Sequence, residues 1–341
     1  MAKAFDIAEH HLFDSVRLAA KQFGFDLDVL QLEPQLGPTR ADALVRVRHG
    51  GQEILYAAEV KLGLRPATIG AVINQLEHLG QPALLVTDYL TPTLADVLKE
   101  RNIAFLDAAG NAYLNHPPLF VWVKGEKPTQ TLPTANVTTR TFNPSGLQVL
   151  FPLLCNPNWT NHPYREIAKL AGVAHGTVGW VLAELPKLGF MAEVGGKRRL
   201  LQPERLLQQW VEAYARTLRP KLLLGRFHTD TLDWHRTIDP GKYGFLLGGE
   251  PAAARLTDHL RPGTVTLYGP KLEPRLLLDQ RLRADPKGNV EILRRFWKFD
   301  NEKPLIVPLP LVYADLLAIG DARCLETAKL LYGDIVTRFG R

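Results

Sequence analysis

Three side chains in the first third of the chain carry the functional groups of metal-assisted hydrolysis: Asp42, Glu59 and Lys61. Carboxylate oxygens are the ligands that Mg²⁺ takes in proteins. A bound metal lowers the pKa of a water molecule that attacks a phosphodiester, and a lysine orients that water and steadies the developing charge. These residue types would therefore allow cleavage of a nucleic acid, provided that the fold brings them together.

A β-hairpin is predicted to position these groups. Residues 40–48 and 54–61 have the composition of two strands, and a Gly-Gly pair between them indicates a hairpin turn. Side chains alternate between the two faces of a strand, so Glu59 and Lys61 share one face of the second strand. Asp42 lies near the start of the first strand. We expect the three side chains to meet at one edge of a sheet.

An Asp followed by Glu-x-Lys on a neighbouring strand resembles the core of the PD-(D/E)xK nucleases. The resemblance implies a restriction-endonuclease-like α/β domain over residues 1–125, with Asp42 and Glu59 as metal ligands and Lys61 as a catalytic residue. A helix after the hairpin frequently carries a Gln in this family, and the helix predicted here carries Gln75, which joins the catalytic set. Alternating charged strands also produce this short motif by chance, and many such domains serve only in binding. The sequence is compatible both with an active nuclease site and with an inactive one.

The most informative stretch for function runs from Tyr164 to Arg199. Ala168 is small where a second helix would cross, and Gly172 allows a positive φ in a tight turn. Val178 and Val181 fall at helical spacing and would pack the second helix on the first. Two short strands, residues 190–194 and 199–201, are predicted to follow around the four-residue turn Gly195-Gly196-Lys197-Arg198. The stretch resembles a winged helix-turn-helix, and an ordinary helical hairpin on a β-ribbon is the alternative.

A winged helix usually inserts its second helix into the major groove of DNA. Here that helix begins near His175 and offers no Arg or Lys, the residues that most often read guanine. The predicted wing is cationic and suits contact with phosphates. The predicted DNA-binding residues combine the helix and the wing: His175, Thr177, Trp180, Lys197, Arg198 and Arg199. We expect modest base readout, or a partner surface centred on Trp180.

Composition excludes several classes of protein. The chain has 341 residues, 46% of them hydrophobic and 22% charged, which indicates ordinary globular domains. A net charge of +6 permits a polyanionic partner without requiring one. Two cysteines, Cys155 and Cys324, exclude a disulfide framework or a cysteine zinc site and favour a reducing cytoplasm. No signal peptide or membrane-spanning run is recognised.

The C-terminal third also has α/β composition. Residues 246–257 and 311–332 contain LLGGEPAAARLT and LVYADLLAIGDARCLETAKLLY. Together with the winged helix, they make residues 142–341 similar to the AbiEi family of type IV toxin–antitoxin antitoxins and transcriptional regulators. The resemblance implies autoregulatory DNA binding and a bacterial or mobile-element origin.

The expected fold class is mixed α/β, with four segments along the chain. They are a nuclease-like domain at 1–125, a linker rich in Pro, Thr and Asn at 126–143, a winged helix at 144–220 and an AbiEi-like α/β domain at 221–341.

Three functions follow from these observations. The first is a DNA-binding transcriptional regulator, antitoxin-like, that binds double-stranded DNA through the winged helix and needs no cofactor for it. The second is an Mg²⁺-dependent DNA nuclease targeted by the winged helix. The third is an antitoxin that acts by protein interaction alone, with a cognate toxin as its partner. We expect a cytoplasmic protein with no membrane partner, and a homo-oligomer is left open.

Overall fold

The computed structural model describes residues 7–36, 39–79, 82–117, 119–128, 140–230, 236 and 239–339, with backbone alone for residues 7–11. The chain divides into two compact units, Met1–Val137 and Thr138–Arg341. Most of the predicted linker, residues 129–139, lies outside the described residues. The mixed α/β class predicted from the sequence is confirmed.

The first unit is built on a seven-stranded sheet in the order β1-β4-β5-β6-β7-β8-β9. The β5-β6 and β6-β7 pairs are parallel and the other neighbouring pairs are antiparallel. Its strands are β1 (Asp26–Leu32), β4 (Ala43–His49), β5 (Gln52–Lys61), β6 (Ala83–Thr87), β7 (Ala104–Asp107), β8 (Ala112–His116) and β9 (Leu119–Val123). A small separate hairpin consists of β2 (Gln35–Leu36) and β3 (Thr39–Arg40).

Three helices cover this sheet: α1 (Ile7–Gln22), α2 (Pro66–His78) and α3 (Pro92–Glu100). α1 packs against β1, β6 and β7, and its Leu12 and Val16 are buried with Val45, Tyr56 and Val60 of the hairpin. α2 and α3 contact β6 and β7. Since Val60 belongs to the core under α1, its neighbours in β5 point to the opposite face of the sheet. That opposite face holds the candidate metal site.

The second unit begins with three helices and a β-hairpin, the element order of a winged helix. They are α4 (Pro144–Cys155), α5 (Tyr164–Ala171), α6 (His175–Glu184), β10 (Met191–Val194) and β11 (Lys197–Leu200). Gly172 ends α5 in a left-handed conformation with φ 67°, which confirms the turn predicted from the sequence. Ala168, Val178 and Val181 are buried between the helices. The wing turn consists of Gly195 and Gly196 alone, so β11 begins two residues earlier than the four-residue turn predicted.

The rest of this unit holds a five-stranded mixed sheet in the order β13-β14-β16-β12-β15. The strands are β12 (Leu223–His228), β13 (Leu246–Gly248), β14 (Val265–Gly269), β15 (Arg283–Ala284) and β16 (Val290–Arg294). The helices are α7 (Pro203–Ala213), α8 (Arg219–Leu222), α9 (Gly249–Thr257), α10 (Pro274–Asp279), α11 (Leu309–Ile319) and α12 (Ala322–Phe339). Within the described residues, no helix has the length and hydrophobicity needed to span a membrane.

An aromatic core joins the winged helix to the C-terminal block. Trp210 of α7 stacks between Phe151 of α4 and Tyr214, at ring distances of 5.4 and 5.0 Å. Phe151 also packs against Phe296 and Trp297, which follow β16. The buried rings belong to both segments, and this shared core holds them in one compact unit. Whether each would fold alone, as the predicted domain boundaries imply, stays a prediction.

A buried polar cluster fixes α7 to the sheet through a π-helical turn at Tyr214–Leu218. The carboxylate of Asp315 on α11 accepts hydrogen bonds from the hydroxyls of Tyr214 and Tyr268 and from Nε of Arg219, at 2.9 to 3.0 Å. Arg219 also contacts Glu291 of β16 at 2.7 Å. Burial and the Asp315 charge raise the pKa of both tyrosines well above the usual value, so both hydroxyls stay protonated and can donate.

The sequence predicted one helix over residues 203–217 that ends before Pro220. Instead, α7 gives way to the π-helical turn, and the chain stays helical through Pro220 to Leu222. Proline has no N–H to donate, and the first positions of a helix need no such donor. Pro220 therefore sits at the start of α8 rather than ending a helix.

Candidate nucleic-acid interface and metal site

The β4-β5 hairpin brings Asp42 next to Glu59. The register pairs Ala43 with Ala58, and one further step would place Asp42 opposite Glu59. Two contacts fit this placement: the Asp42 N–H donates to the Ala58 carbonyl at 3.0 Å, and Asp42 Oδ2 accepts from the Val60 N–H at 3.0 Å. Opposite residues of an antiparallel pair point to the same face. The two carboxylates therefore lie on the face that does not pack on α1.

Lys61 and Gln75 both contact the carboxylate of Glu59. The Gln75 amide on α2 donates to Glu59 Oε2, and Lys61 Nζ lies 3.5 Å from the same oxygen. The Glu59 side chain is 1% exposed and that of Lys61 is 13% exposed. A buried carboxylate is costly unless it is paired and hydrogen-bonded, and this lysine and this amide meet both needs. All four residues that resemble the nuclease set thus lie at one end of β5.

The donor chemistry of this site fits Mg²⁺. Two carboxylates supply hard oxygen ligands, and Mg²⁺ commonly keeps several waters while it binds only one or two protein carboxylates. Asp42 and Glu59 are the residues that would hold it. Among the residues described, no group of three His, Cys, Asp or Glu side chains could hold a metal ion together. Binding of Mg²⁺ and catalysis by these residues stay predictions.

In the second unit, the predicted reading helix presents few polar groups. On α6, His175 is exposed, whereas Thr177 and Trp180 are half-buried. The His175 ring lies 6.1 Å from the ring of Tyr164. The remaining exposed positions are small, Gly176 and Ala183. A helix without Lys or Arg whose exposed side chains are mostly small can approach a groove closely but offers few hydrogen bonds to base edges.

The wing separates its three cations into two groups. Alternation along β11 puts Lys197 and Arg199 on one face and Arg198 on the other. Lys197 and Arg199 are exposed, and Arg198 is half-buried. The three residues line a surface cavity of about 410 Å³, which Asn161 and Phe339 also border. A phosphate could reach Lys197 and Arg199 without moving the wing.

Arg198 fastens the wing to the rest of the winged helix. Its guanidinium donates to the His162 carbonyl at 2.9 Å and lies over the Tyr164 ring at 5.1 Å. The Asn161 side chain accepts from the Arg198 N–H at 2.8 Å and donates to its carbonyl at 3.0 Å, and the Thr160 hydroxyl donates to the same carbonyl at 2.9 Å. Hydrogen bonds from both the main chain and the side chain of Arg198 hold this residue in place, so its main role is to position the wing.

Two further cations were not among the predicted DNA-binding residues. Arg165 and Lys169 on α5 are exposed, whereas Ile167 and Ala171 of the same helix are buried. Side chains four apart lie on one face of a helix. Their spacing in the sequence was the signal that could have identified them. They add positive charge on the helix that precedes the reading helix.

Only the second unit has a net positive charge. Residues 138–341 contain 29 Lys and Arg against 20 Asp and Glu, whereas residues 1–137 contain 12 against 15. The unit with the winged helix therefore carries a net +9, and the first unit carries −3. A polyanion is attracted to the second unit and not to the first by net charge alone.

Comparison with known proteins bears on the second unit. Residues 199–337 match a protein family described as "Transcriptional regulator, AbiEi antitoxin, Type IV TA system". The match begins at the last residues of the wing and ends in α12, and it spans less than half of the chain. A search of curated proteins with the chain gives no match. The similarity supports the family predicted for the C-terminal segment and does not extend to the first unit.

Proposed function

We propose that the chain is a DNA-binding transcriptional regulator of the antitoxin type, which holds double-stranded DNA through its winged helix. The observation that carries the proposal is the wing, where Lys197 and Arg199 are exposed on one face while Arg198 fixes the hairpin. The net +9 of the same unit and its similarity to a family of regulators support it. Its place of action is then the cytoplasm, where bacterial DNA lies, and a cognate toxin is the proposed protein partner.

Phosphate contact through the wing predicts different effects for its cations. Replacing Lys197 and Arg199 with Ala removes up to two phosphate contacts, so the slope of log affinity against log salt is expected to flatten by about 0.9 for each contact. Arg198→Ala is expected to leave the slope nearly unchanged, because its guanidinium bonds to His162. It should instead weaken hydrogen-exchange protection of the wing. Salt titrations of DNA binding by fluorescence anisotropy measure the slopes.

The two variants are matched controls for each other, since each removes wing cations from a hairpin of the same length. Ala at Lys197 and Arg199 should change the free energy of unfolding by less than about 0.5 kcal/mol for each site, as is usual for exposed positions. If Arg198→Ala flattens the slope by about 0.9, the value for one phosphate contact, the Arg198 guanidinium must leave the His162 carbonyl to bind DNA. An unchanged slope in the double variant would move the contact away from the wing.

A second candidate function is favoured by the contacts of Glu59. A DNA nuclease of the PD-(D/E)xK type needs two carboxylates and a lysine at one strand end, and Asp42, Glu59 and Lys61 lie there. Mg²⁺, when bound, would supply the charge that activates water and polarises the phosphodiester. Asp42 and Glu59 would hold the ion, Lys61 would stabilise charge on the attacked phosphate, and Gln75 would orient Glu59.

One panel of DNA, single- and double-stranded, distinguishes the proposed functions. We expect a gel shift that does not depend on Mg²⁺ and no cleavage in its presence. Cleavage that requires Mg²⁺ and disappears in Lys61→Ala, while binding persists, would establish the nuclease instead. Lys99→Ala, which changes a lysine outside the site in the same unit, is the matched control. A chain that neither binds nor cleaves would favour an antitoxin that acts by protein interaction alone.

A further inference from the structure

A second cavity lies where the C-terminal block meets the winged helix. It has a volume of about 210 Å³. Its apolar wall includes aromatic and aliphatic side chains from five parts of the second unit: Trp159, Leu256, Phe299, Leu309 and Leu331. The Trp159 and Phe299 rings are 5.1 Å apart in an edge-to-face arrangement. An apolar cavity of about 150 Å³ is enough for benzene, so this one has room for a six-membered ring with a short substituent.

The mouth of the cavity carries charged side chains, most of them exposed. Glu302 and Arg338 neutralise each other through two contacts of 2.7 and 2.8 Å. The charge of Asp300 is opposed by that of nearby Arg295, a residue outside the cavity lining. This leaves one carboxylate, Asp334, and one ammonium group, Lys303, which form no ion pair within the described part of the chain.

The thiol in the wall does not suit covalent chemistry. Burial raises the pKa of Cys155 well above its usual value, so the nucleophilic thiolate is scarce at neutral pH. Cys155 therefore contributes to the wall as a small apolar group. What the cavity offers is non-covalent: an apolar chamber for a ring, with one negative and one positive group at its mouth.

We propose that this cavity binds a small zwitterion with an apolar body, of which an aromatic α-amino acid is the simplest chemical class. The ring would pack inside the cavity against the touching rings of Trp159 and Phe299, the ammonium group would face Asp334, and the carboxylate would face Lys303. Since pockets of this kind combine apolar walls with a few placed polar groups, each part of the ligand has a counterpart. Trp159 is next in the chain to Thr160 and Asn161, which hold the wing, so a bound ligand would touch the turn that positions it.

Three ligands of the same size test the proposal by calorimetry with the full chain: L-phenylalanine, 2-phenylethylamine, which lacks the carboxylate, and 3-phenylpropionate, which lacks the ammonium group. We expect phenylalanine to bind more tightly than either analogue by a factor of up to about five, the most that an exposed ion pair usually contributes. Equal affinity for all three would overturn the zwitterion, and no binding at millimolar concentration would overturn the site.

Substitution of Asp334 and Lys303 tests the role of each charge in binding. Both side chains are exposed, so neither change is expected to affect folding. Asp334→Asn should abolish the preference for phenylalanine over phenylpropionate, and Lys303→Gln should abolish the preference over phenylethylamine. Glu326→Gln and Lys329→Gln, on α12 but outside the lining, are the matched controls and should leave all three affinities unchanged. If the controls lower the affinities as much as the lining variants, long-range charge rather than the site is responsible, and the proposal is wrong.

Discussion

Replacing Asp315 with Ala is expected to lower the free energy of unfolding of the second unit by about 3–5 kcal/mol, the usual cost of removing one partner of a buried ion pair. The Asp315 side chain is fully buried. Its loss removes the carboxylate that accepts from the hydroxyls of Tyr214 and Tyr268, which then have only each other as partners at 2.7 Å. It also removes one of the two carboxylates beside Arg219. Urea unfolding followed by tryptophan fluorescence measures the change, since five of the six Trp residues lie in this unit.

The single-hydroxyl variants Tyr214→Phe and Tyr268→Phe break the same cluster in smaller steps. Each removes a buried donor and is expected to cost about 1 kcal/mol. Glu326→Ala, which changes an exposed carboxylate of the same unit, is the control and should change stability by less than about 0.5 kcal/mol. A loss below about 1 kcal/mol in Asp315→Ala would contradict a structural role for the cluster, because even one neutral hydrogen bond is worth that much.

Two glycines of the helix-turn-helix are expected to respond in opposite directions to substitution with Ala. Gly172 has φ 67°, and a Cβ there would lie 2.7 Å from the Phe296 carbonyl oxygen. Left-handed backbone costs a non-glycine residue roughly 1–2 kcal/mol, and overpacking against a main-chain atom adds about 1–3 kcal/mol. Gly172→Ala should therefore lower stability by about 2–5 kcal/mol. The midpoint of urea unfolding measures it.

Gly176, four residues later in α6, is the matched control. A Cβ there meets nothing within 4 Å, and Ala is favoured over Gly within a helix by about 0.8–1.0 kcal/mol. Gly176→Ala should leave the protein as stable or make it more stable. A Gly172→Ala protein as stable as the parent would mean that Phe296 does not pack on the turn. A destabilised Gly176→Ala would mean that this face of α6 is covered.

The features that the sequence predicted correctly have local signals. Gly172 was expected to take a positive φ because small and apolar residues surround it at helix-turn-helix spacing, and its φ confirms this. Glu59 and Lys61 were expected to share a face because alternation in a strand needs only neighbouring residues, and Lys61 Nζ lies 3.5 Å from Glu59 Oε2. Strands such as β9 and β12 were not predicted, because they are short, and β12 pairs with β16, some sixty residues further along the chain.

The features that were missed depend on contacts between distant residues. Arg198 was grouped with the phosphate-binding cations because its residue type suits that role. Its partner Asn161 lies 37 positions earlier, and no local pattern links the two. Asp315 reads as one polar residue in an apolar helix until the fold brings Tyr214 and Arg219 to it. The cavity beside Trp159 likewise exists only after α12 has packed against the winged helix.

The wing can be lengthened at the Gly195-Gly196 turn at little cost in stability. A side chain at either glycine would meet nothing within 4 Å, and the hairpin is secured at Arg198 rather than at its tip. Lengthening a loop costs little, about 0.6 kcal/mol for each doubling. Insertions at this point could therefore extend the wing along a neighbouring groove while the anchored strand keeps its place. If the wing contacts DNA as proposed, a change in its length would alter the DNA contacts without a change in the core.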